Sequence, residues 1–337
     1  MNAIHAAKNA LECVFEAKPR ESLVIFCDDT RMNIGKAFHQ AAENLRLDSK
    51  LILLATDPAV FRTDIPAEID EYLKTKRPLI YINLLRGIRE ETPFRIKLIQ
   101  LETSDHKTRL GHCPGLTEDM LTNGALALTQ MAHRKMQDLA DNLIAKLQPA
   151  RRIELTSPSG TCVSFSVKGR SFFTDTKIDW KTMKWMNLPT GEVIVGPVED
   201  SLEGEVVCDV AIGGIGLLDA PVILAVESGR VYDVTSSNSD VVNRIKNSLQ
   251  IDDMASVVGE FAFGINSKAR FTEEFLESEK VFGTVHIAFG NNSDYPGGEN
   301  NSRNHMDFLM SKPNVRMVSE SGCPIEVLRK GKFVGLR

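Results

Sequence analysis

The sequence predicts an α/β protein in two parts: an N-terminal parallel-sheet α/β domain over residues 1–149, then a β-rich α+β domain over residues 150–337. Three observations predict it. Short apolar runs alternate with helix-spaced stretches through the first half, as they do in parallel sheets covered by helices. The second half instead shows alternating runs that flank Gly-containing turns, which is how antiparallel hairpins read. Between them, Pro149 ends a helical stretch and the pattern changes by Arg152.

In order, MNAIHAAKNALECVFEAK reads as a helix, since charges are scattered through it and no long apolar stretch suggests a signal peptide. Ser22–Cys27 (SLVIFC) is a strand. Asn33–Leu45 places Ile34, Phe38, Ala41 and Ala42 on one helical face. Lys50–Ala55 is a second strand. Pro66–Lys74 opens with proline and early acids, which suit a helix start. Pro78–Leu85 is a third strand, and Thr117–Leu147 reads as one long helix capped by Thr117. Beyond the boundary, hairpins are expected around Ser157–Gly160, Ser228-Gly229 and Lys330-Gly331, with a helix over Asp240–Leu249.

Composition narrows the function. Forty basic against 45 acidic residues give a net charge of −5, which excludes nucleic acid as the main partner because phosphate binding needs a basic face. No apolar run reaches the ~18 residues that a membrane span needs. Cys13, Cys27, Cys113, Cys162, Cys208 and Cys323 are far apart and form no C-x-x-C. They read as reduced, mostly buried residues, and the expected setting is cytoplasmic.

The chemistry concentrates between Glu192 and Asp307. Residues two apart on a strand share a face, so Asn304-His305-Met306-Asp307 aims an imidazole and a carboxylate at one point. Alone the pair would equally suit a solvated loop. His286 stands inside the apolar strand GTVHIAFG, where it is either a satisfied core histidine or a ligand. Glu260 ends the run VVGE, Glu192 stands at a turn entering a strand, and Glu279 precedes His286 by seven residues. Each glutamate alone reads as a surface residue. Together they exceed the three or four protein ligands of one zinc and match a pair of hydrolytic metals. Other features carry less. Ile212–Gly216 (IGGIG) lies among hairpins with no following helix, so it is not a nucleotide loop. His106, His112 and Cys113 read as an exposed loop beside Asp105, Arg109 and Pro114. Asp28 and Asp29 are either helix caps or ligand groups at a strand end. Trp180 and Trp185 either line the approach to Glu192 or belong to the core or an interface.

NLPTGEV, GEFAFGINSKAR, EKVFGTVHIAFG and NHMDF, which together span most of residues 180–310, resemble the thermophilic aminopeptidase T-like metallopeptidases. The resemblance implies two domains, a homodimer and two divalent ions (Zn, Co or Mn) in the C-terminal domain. It implies Glu192, Glu260, His286, His305 and Asp307 as metal ligands, with Glu279 a further carboxylate at a different offset. It also implies Tyr295, shifted by about two positions, as the active-site tyrosine. The chain is shorter than typical members and is similar to a compact subgroup that also resembles dihydroxypyridine dioxygenases, which open an aromatic ring with a single iron. The expected activity is therefore aminopeptidase action on small peptides, with Glu260 as base and Tyr295 as oxyanion donor. The alternatives are a mononuclear iron ring-cleaving dioxygenase, or a non-catalytic metal- or ligand-binding protein.

Overall fold

The computed structural model describes residues 1–104, 107–179 and 185–336, and these group into two compact units, Met1–Gln137 with Asp175–Thr190, and Asp138–Thr174 with Gly191–Arg337. Asp105, His106 and Trp180 lie outside the described residues.

In the first unit, α1 (Ala3–Cys13) starts where the Asn2 side chain accepts the Ile4 N–H at 2.8 Å, satisfying one of the donors a helix start leaves open. Then follow β1 (Ser22–Asp28), α2 (Met32–Asn44), β2 (Asp48–Leu54), α3 (Ala67–Thr75) and β3 (Ile80–Leu84), the β-α-β-α-β order expected. The structure adds α4 (Thr92–Glu102) and β4 (Arg109–His112), which pairs in parallel with β3. The loop expected around His112 and Cys113 is thus a buried strand and its exit, His112 being 5% and Cys113 0% exposed. Arg109, which had suggested solvent, is buried because its guanidinium meets Glu21 at 2.8 Å and the Phe15 carbonyl at 2.7 Å.

The parallel sheet runs β2-β1-β3-β4, with Trp185–Asn187 at the β4 edge. Its period of two divides β1 between two cores. Leu23, Ile25 and Cys27 pack with Phe15 and Phe38, and Val24 and Phe26 with Leu73, Phe94 and Leu98. Gly35 lets α2 lie close on β1, since a Cβ there would come within 2.8 Å of Cys27 Sγ. Trp185 is half-buried against the second core, in edge-on contact with His112, so it is a core residue.

The long helix expected over Thr117–Leu147 is two helices, α5 (Glu118–Thr122) and α6 (Gln130–Leu147). Asn123 and Gly124 both donate to the Asp119 carbonyl at 2.9 Å and close the first helix. Thr129 then starts the second by accepting the Ala132 N–H at 3.1 Å.

Asp28, at the C-terminal end of β1, is neither cap nor open ligand. Arg62 grips its carboxylate at 2.6 and 2.9 Å and reaches Glu91 at 2.7 Å, and Arg86 adds a 2.6 Å contact to Glu91. Burial opposes the charge on Glu91, but hydrogen bonds from Arg62 and Arg86 outweigh it and hold the carboxyl down at about 2. A carboxyl depressed on folding stabilises above its unfolded value, and that contribution disappears as pH falls toward the folded value. A shift of this size corresponds to about 3 kcal/mol, of which about 2 kcal/mol is lost between about pH 6 and about pH 3. Glu91→Gln should therefore be less stable than wild type in urea unfolding at the higher pH, with the gap narrowing by about that amount at the lower. An equal gap at both would contradict the pairing.

The second unit holds two antiparallel sheets. One has eight strands and includes the hairpin of β5 (Ala150–Thr156) and β6 (Cys162–Ser166). After β7 (Phe173–Thr174) the chain visits the first unit as β8 (Trp185–Asn187), then returns as β9 (Glu192–Val195). Then come β10 (Glu203–Cys208), β11 (Ala211–Ile212), β12 (Gly216–Leu217), β13 (Val222–Glu227), β14 (Arg230–Thr235) and α7 (Ser239–Leu249). The last stretch comprises β15 (Val258–Gly264), α8 (Phe275–Ser278), β16 (Val285–Gly290), β17 (His305–Met310), β18 (Asn314–Ser319), β19 (Pro324–Arg329) and β20 (Lys332–Phe333). The three hairpins and the 240s helix form as expected. The eight-stranded sheet runs β14-β13-β10-β6-β5-β18-β19-β20, and the seven-stranded sheet β12-β11-β17-β16-β15-β9-β7. Phe261 of β15 meets Phe165 of β6 with ring centroids 5.0 Å apart, which buries one face of the seven-stranded sheet against the other sheet.

All six cysteines are free thiols. Cys27, Cys113 and Cys208 are buried, while Cys162 and Cys323 are exposed. Among the described residues no helix is long and apolar enough to cross a membrane.

Candidate metal centre

The opposite face of the seven-stranded sheet collects the polar residues, and strand register explains how. Directly opposed residues point the same way. His305 opposes Gly290, Asp307 opposes Ala288, His286 opposes Ala262 and Glu192 opposes Gly264. Each functional side chain therefore stands beside a glycine or alanine that leaves room above the sheet. The residues between them, Ile287, Phe289, Phe308 and Met310, turn to the apolar face and are fully buried.

Glu260 reaches this face through an irregularity. The β15–β16 register shifts between Val258 and Glu260, so Val258 opposes Phe289 while Glu260 opposes Ala288. Without that bulge, Val258 and Glu260 would share a face. Bulges recur where a side chain must be re-aimed.

Glu279 and its neighbour come from a different element. After α8 the chain runs beside the end of β15, where Asn266 N–H donates to the Lys280 carbonyl at 2.9 Å. This brings Glu279 and Lys280 over the sheet, 8% and 2% exposed. Lys280 ion-pairs with Glu192, and with Glu279 at 2.7 Å. Lys280 carries no signal in the sequence, because a lysine beside a glutamate resembles an ordinary surface pair.

The six expected residues meet. His286 Nε2 lies 3.2 Å from Glu260, 3.6 Å from Glu192 and 3.8 Å from Asp307. His305 Nε2 lies 3.1 Å from Glu260 and 3.4 Å from Asp307. The other nitrogen of His305 is 2.9 Å from the Asn291 carbonyl. A carbonyl only accepts, so this Nδ1 carries a proton, and Nε2 is the nitrogen left to coordinate a metal once it gives up its own proton, the arrangement common behind metal-binding histidines. Among the described residues, two sets of three have donor atoms within 4.8 Å of one another: Glu192 with Glu279 and His286, and Glu260 with His286 and Asp307.

Tyr295 arrives on the loop between β16 and β17. Its N–H donates to the Asn292 carbonyl at 2.8 Å, and Asn292 is tied in turn to Glu199 at 3.0 Å. Phe173 packs edge-on against the Tyr295 ring. The hydroxyl donates to Glu260 Oε2 at 2.5 Å, so the tyrosine shifted in sequence still meets the expected carboxylate.

Burial opposes the charge on Glu260, yet the hydrogen bonds from His286 and His305 hold it well below the usual carboxylate range. Burial drives Glu279 the other way, up to about 8, helped by the Glu192 and Asp307 carboxylates and opposed by Lys280. Four buried or nearly buried carboxylates around two imidazoles are a donor set for a hard or borderline divalent cation, whose charge they would neutralise. The residues therefore fit a metal.

Residues 129–333 match the family model of the thermophilic metalloproteases (M29). Two solved structures share the fold along nearly the whole chain. One is 2,5-dihydroxypyridine dioxygenase from Pseudomonas putida KT2440, with TM-score 0.68, 15% identity, and 99% of this chain and 97% of that one covered. The other is wild-type AmpT from Thermus thermophilus, with TM-score 0.68, 15% identity and 98% of each chain covered. No curated protein matches the chain in sequence. The chain belongs to the thermophilic metalloprotease family (M29).

Proposed function

We propose that this member of the thermophilic metalloprotease family is a metal-dependent aminopeptidase acting on small peptides. The observation that carries the reading is the position of Glu260, which accepts the Tyr295 hydroxyl at 2.5 Å and faces both His286 and His305. The carboxylate that would act as base is thus met by the oxyanion donor and by both imidazoles.

The metal would be held by donors drawn from Glu192, Glu260, Glu279, His286, His305 and Asp307. When bound, such an ion polarises a carbonyl and makes water a nucleophile near neutral pH. The chain's own residues do the rest. Glu260 accepts the proton of the attacking water and passes it toward the leaving amine. Tyr295 turns its hydroxyl from Glu260 to the oxygen on which charge develops. His305 stays oriented by the Asn291 carbonyl.

A second reading has one specific support: His286, His305 and Asp307 form a two-histidine, one-carboxylate set of the type that holds non-haem iron. Both related structures have the same TM-score, so the fold does not choose between the readings, and the family match favours hydrolysis. The test pairs two assays on protein purified without chelator: release of nitroaniline from aminoacyl nitroanilides, and oxygen uptake with dihydroxypyridine. Hydrolysis without oxygen uptake is expected; oxygen uptake without hydrolysis would overturn the proposal.

A further inference from the structure

We propose that the Lys280 ammonium is the built-in second cation of this site. It holds Glu192 and Glu279, so that each chain binds one divalent ion, at Glu260, His286, His305 and Asp307. This rests on the metal-site reading above and departs from the two ions implied by the family resemblance.

The two donor sets share His286. Only Nε2 of that ring faces the carboxylates, and one imidazole nitrogen makes one coordinate bond. Both sets therefore cannot use it at once. Lys280 is placed on Glu192 and Glu279, the two members that belong to the first set alone. The second set has His305 beside it, with its Nε2 turned to the same carboxylates and its Nδ1–H held by the Asn291 carbonyl. One set is thus neutralised by a side chain, and the other is completed by a further imidazole.

The fold fixes the lysine there. Its carbonyl accepts from Asn266 at 2.9 Å, and its N–H donates to the Glu277 carbonyl at 3.1 Å. Gly264 makes room for this segment, since a Cβ there would lie 2.2 Å from the Val281 carbonyl and 2.9 Å from that of Glu279. An ammonium this deeply buried requires counter-charge. It offers three donors and no coordination position. A metal ion on the same two carboxylates would face a neighbouring like charge in a site sheltered from water.

Ion counting tests this. Protein stripped with chelator, reloaded with Mn(II) or Zn(II) and dialysed should contain about one ion per chain by mass spectrometry. About two ions in the wild type would overturn the proposal. Lys280→Met keeps the apolar stem and removes the charge, which should free Glu192 and Glu279 to take a further ion, raising the count to about two. A count that stays at one in a folded Lys280→Met protein would overturn it. Glu192→Gln supplies an independent test and leaves the lysine in place. It should retain the single ion, and its loss would show that Glu192 ligates that ion. These readouts need no substrate. One bound ion without peptide hydrolysis would sink the aminopeptidase reading and leave this inference standing.

Discussion

Glu260→Gln is expected to slow hydrolysis of an aminoacyl nitroanilide by at least ~10², since a positioned general base contributes typically 10²–10⁴. Glutamine keeps the shape but only one carbonyl oxygen, so it can still accept the Tyr295 hydroxyl, which lies 2.5 Å from Oε2, while its NH2 takes the position that faces His286 at 3.2 Å. It cannot take a proton at neutral pH. Metal content separates the two roles of this carboxylate. A slow variant that keeps its ion and still binds substrate assigns Glu260 as the base. A slow variant that loses its ion assigns it mainly as a ligand. Unchanged hydrolysis with the ion retained would show that the central carboxylate is misassigned.

Asp307→Ala and His286→Ala are each expected to lower metal affinity by at least ~10² and to abolish hydrolysis. Loss of a partner behind a ligand already costs 10–100-fold, and these residues offer donor atoms themselves. The fold should survive. In the Asp307 variant the alanine faces Ala288 across the strand pair, so no bulk is added to the sheet. With its contacts to His286 at 3.8 Å and His305 at 3.4 Å lost, metal-free Asp307→Ala should still unfold cooperatively, at a melting temperature no higher than that of metal-free wild type. Full metal occupancy after dialysis in both variants would remove the pair as ligands.

Much of this was legible in the sequence because it depends on local periodicity. The 3.6-residue spacing of Ile34, Phe38 and Ala41 marked a helix, and the two-residue spacing of His305 and Asp307 marked one strand face. The three hairpins were visible in their turn residues. What stayed hidden depends on distant partners. Arg109 reads as a surface residue until Glu21 and the Phe15 carbonyl are brought to it. Thr117–Leu147 has helical composition throughout, and its interruption rests on which groups bond Asp119 and Thr129.

The site divides in the same way. Family likeness pointed to six candidate metal ligands and Tyr295, and all seven lie in one cluster. The bulge that turns Glu260 onto the site face has no signature beyond Gly259. Nor does the sequence announce Lys280, whose two carboxylates are one and 88 residues away. A pairing of that span exists only once β9 and the segment after α8 lie over the same strand.

The central claim is that a divalent ion on this sheet face carries peptide hydrolysis. It is tested most directly by measuring aminoacyl nitroanilide hydrolysis against bound metal, as chelator-stripped protein is titrated with Mn(II) or Zn(II). Hydrolysis absent without metal, and rising in proportion to ions bound until the site is filled, is the predicted result. Hydrolysis that persists after the last ion is removed, or that stays absent at full occupancy with each metal, would contradict it.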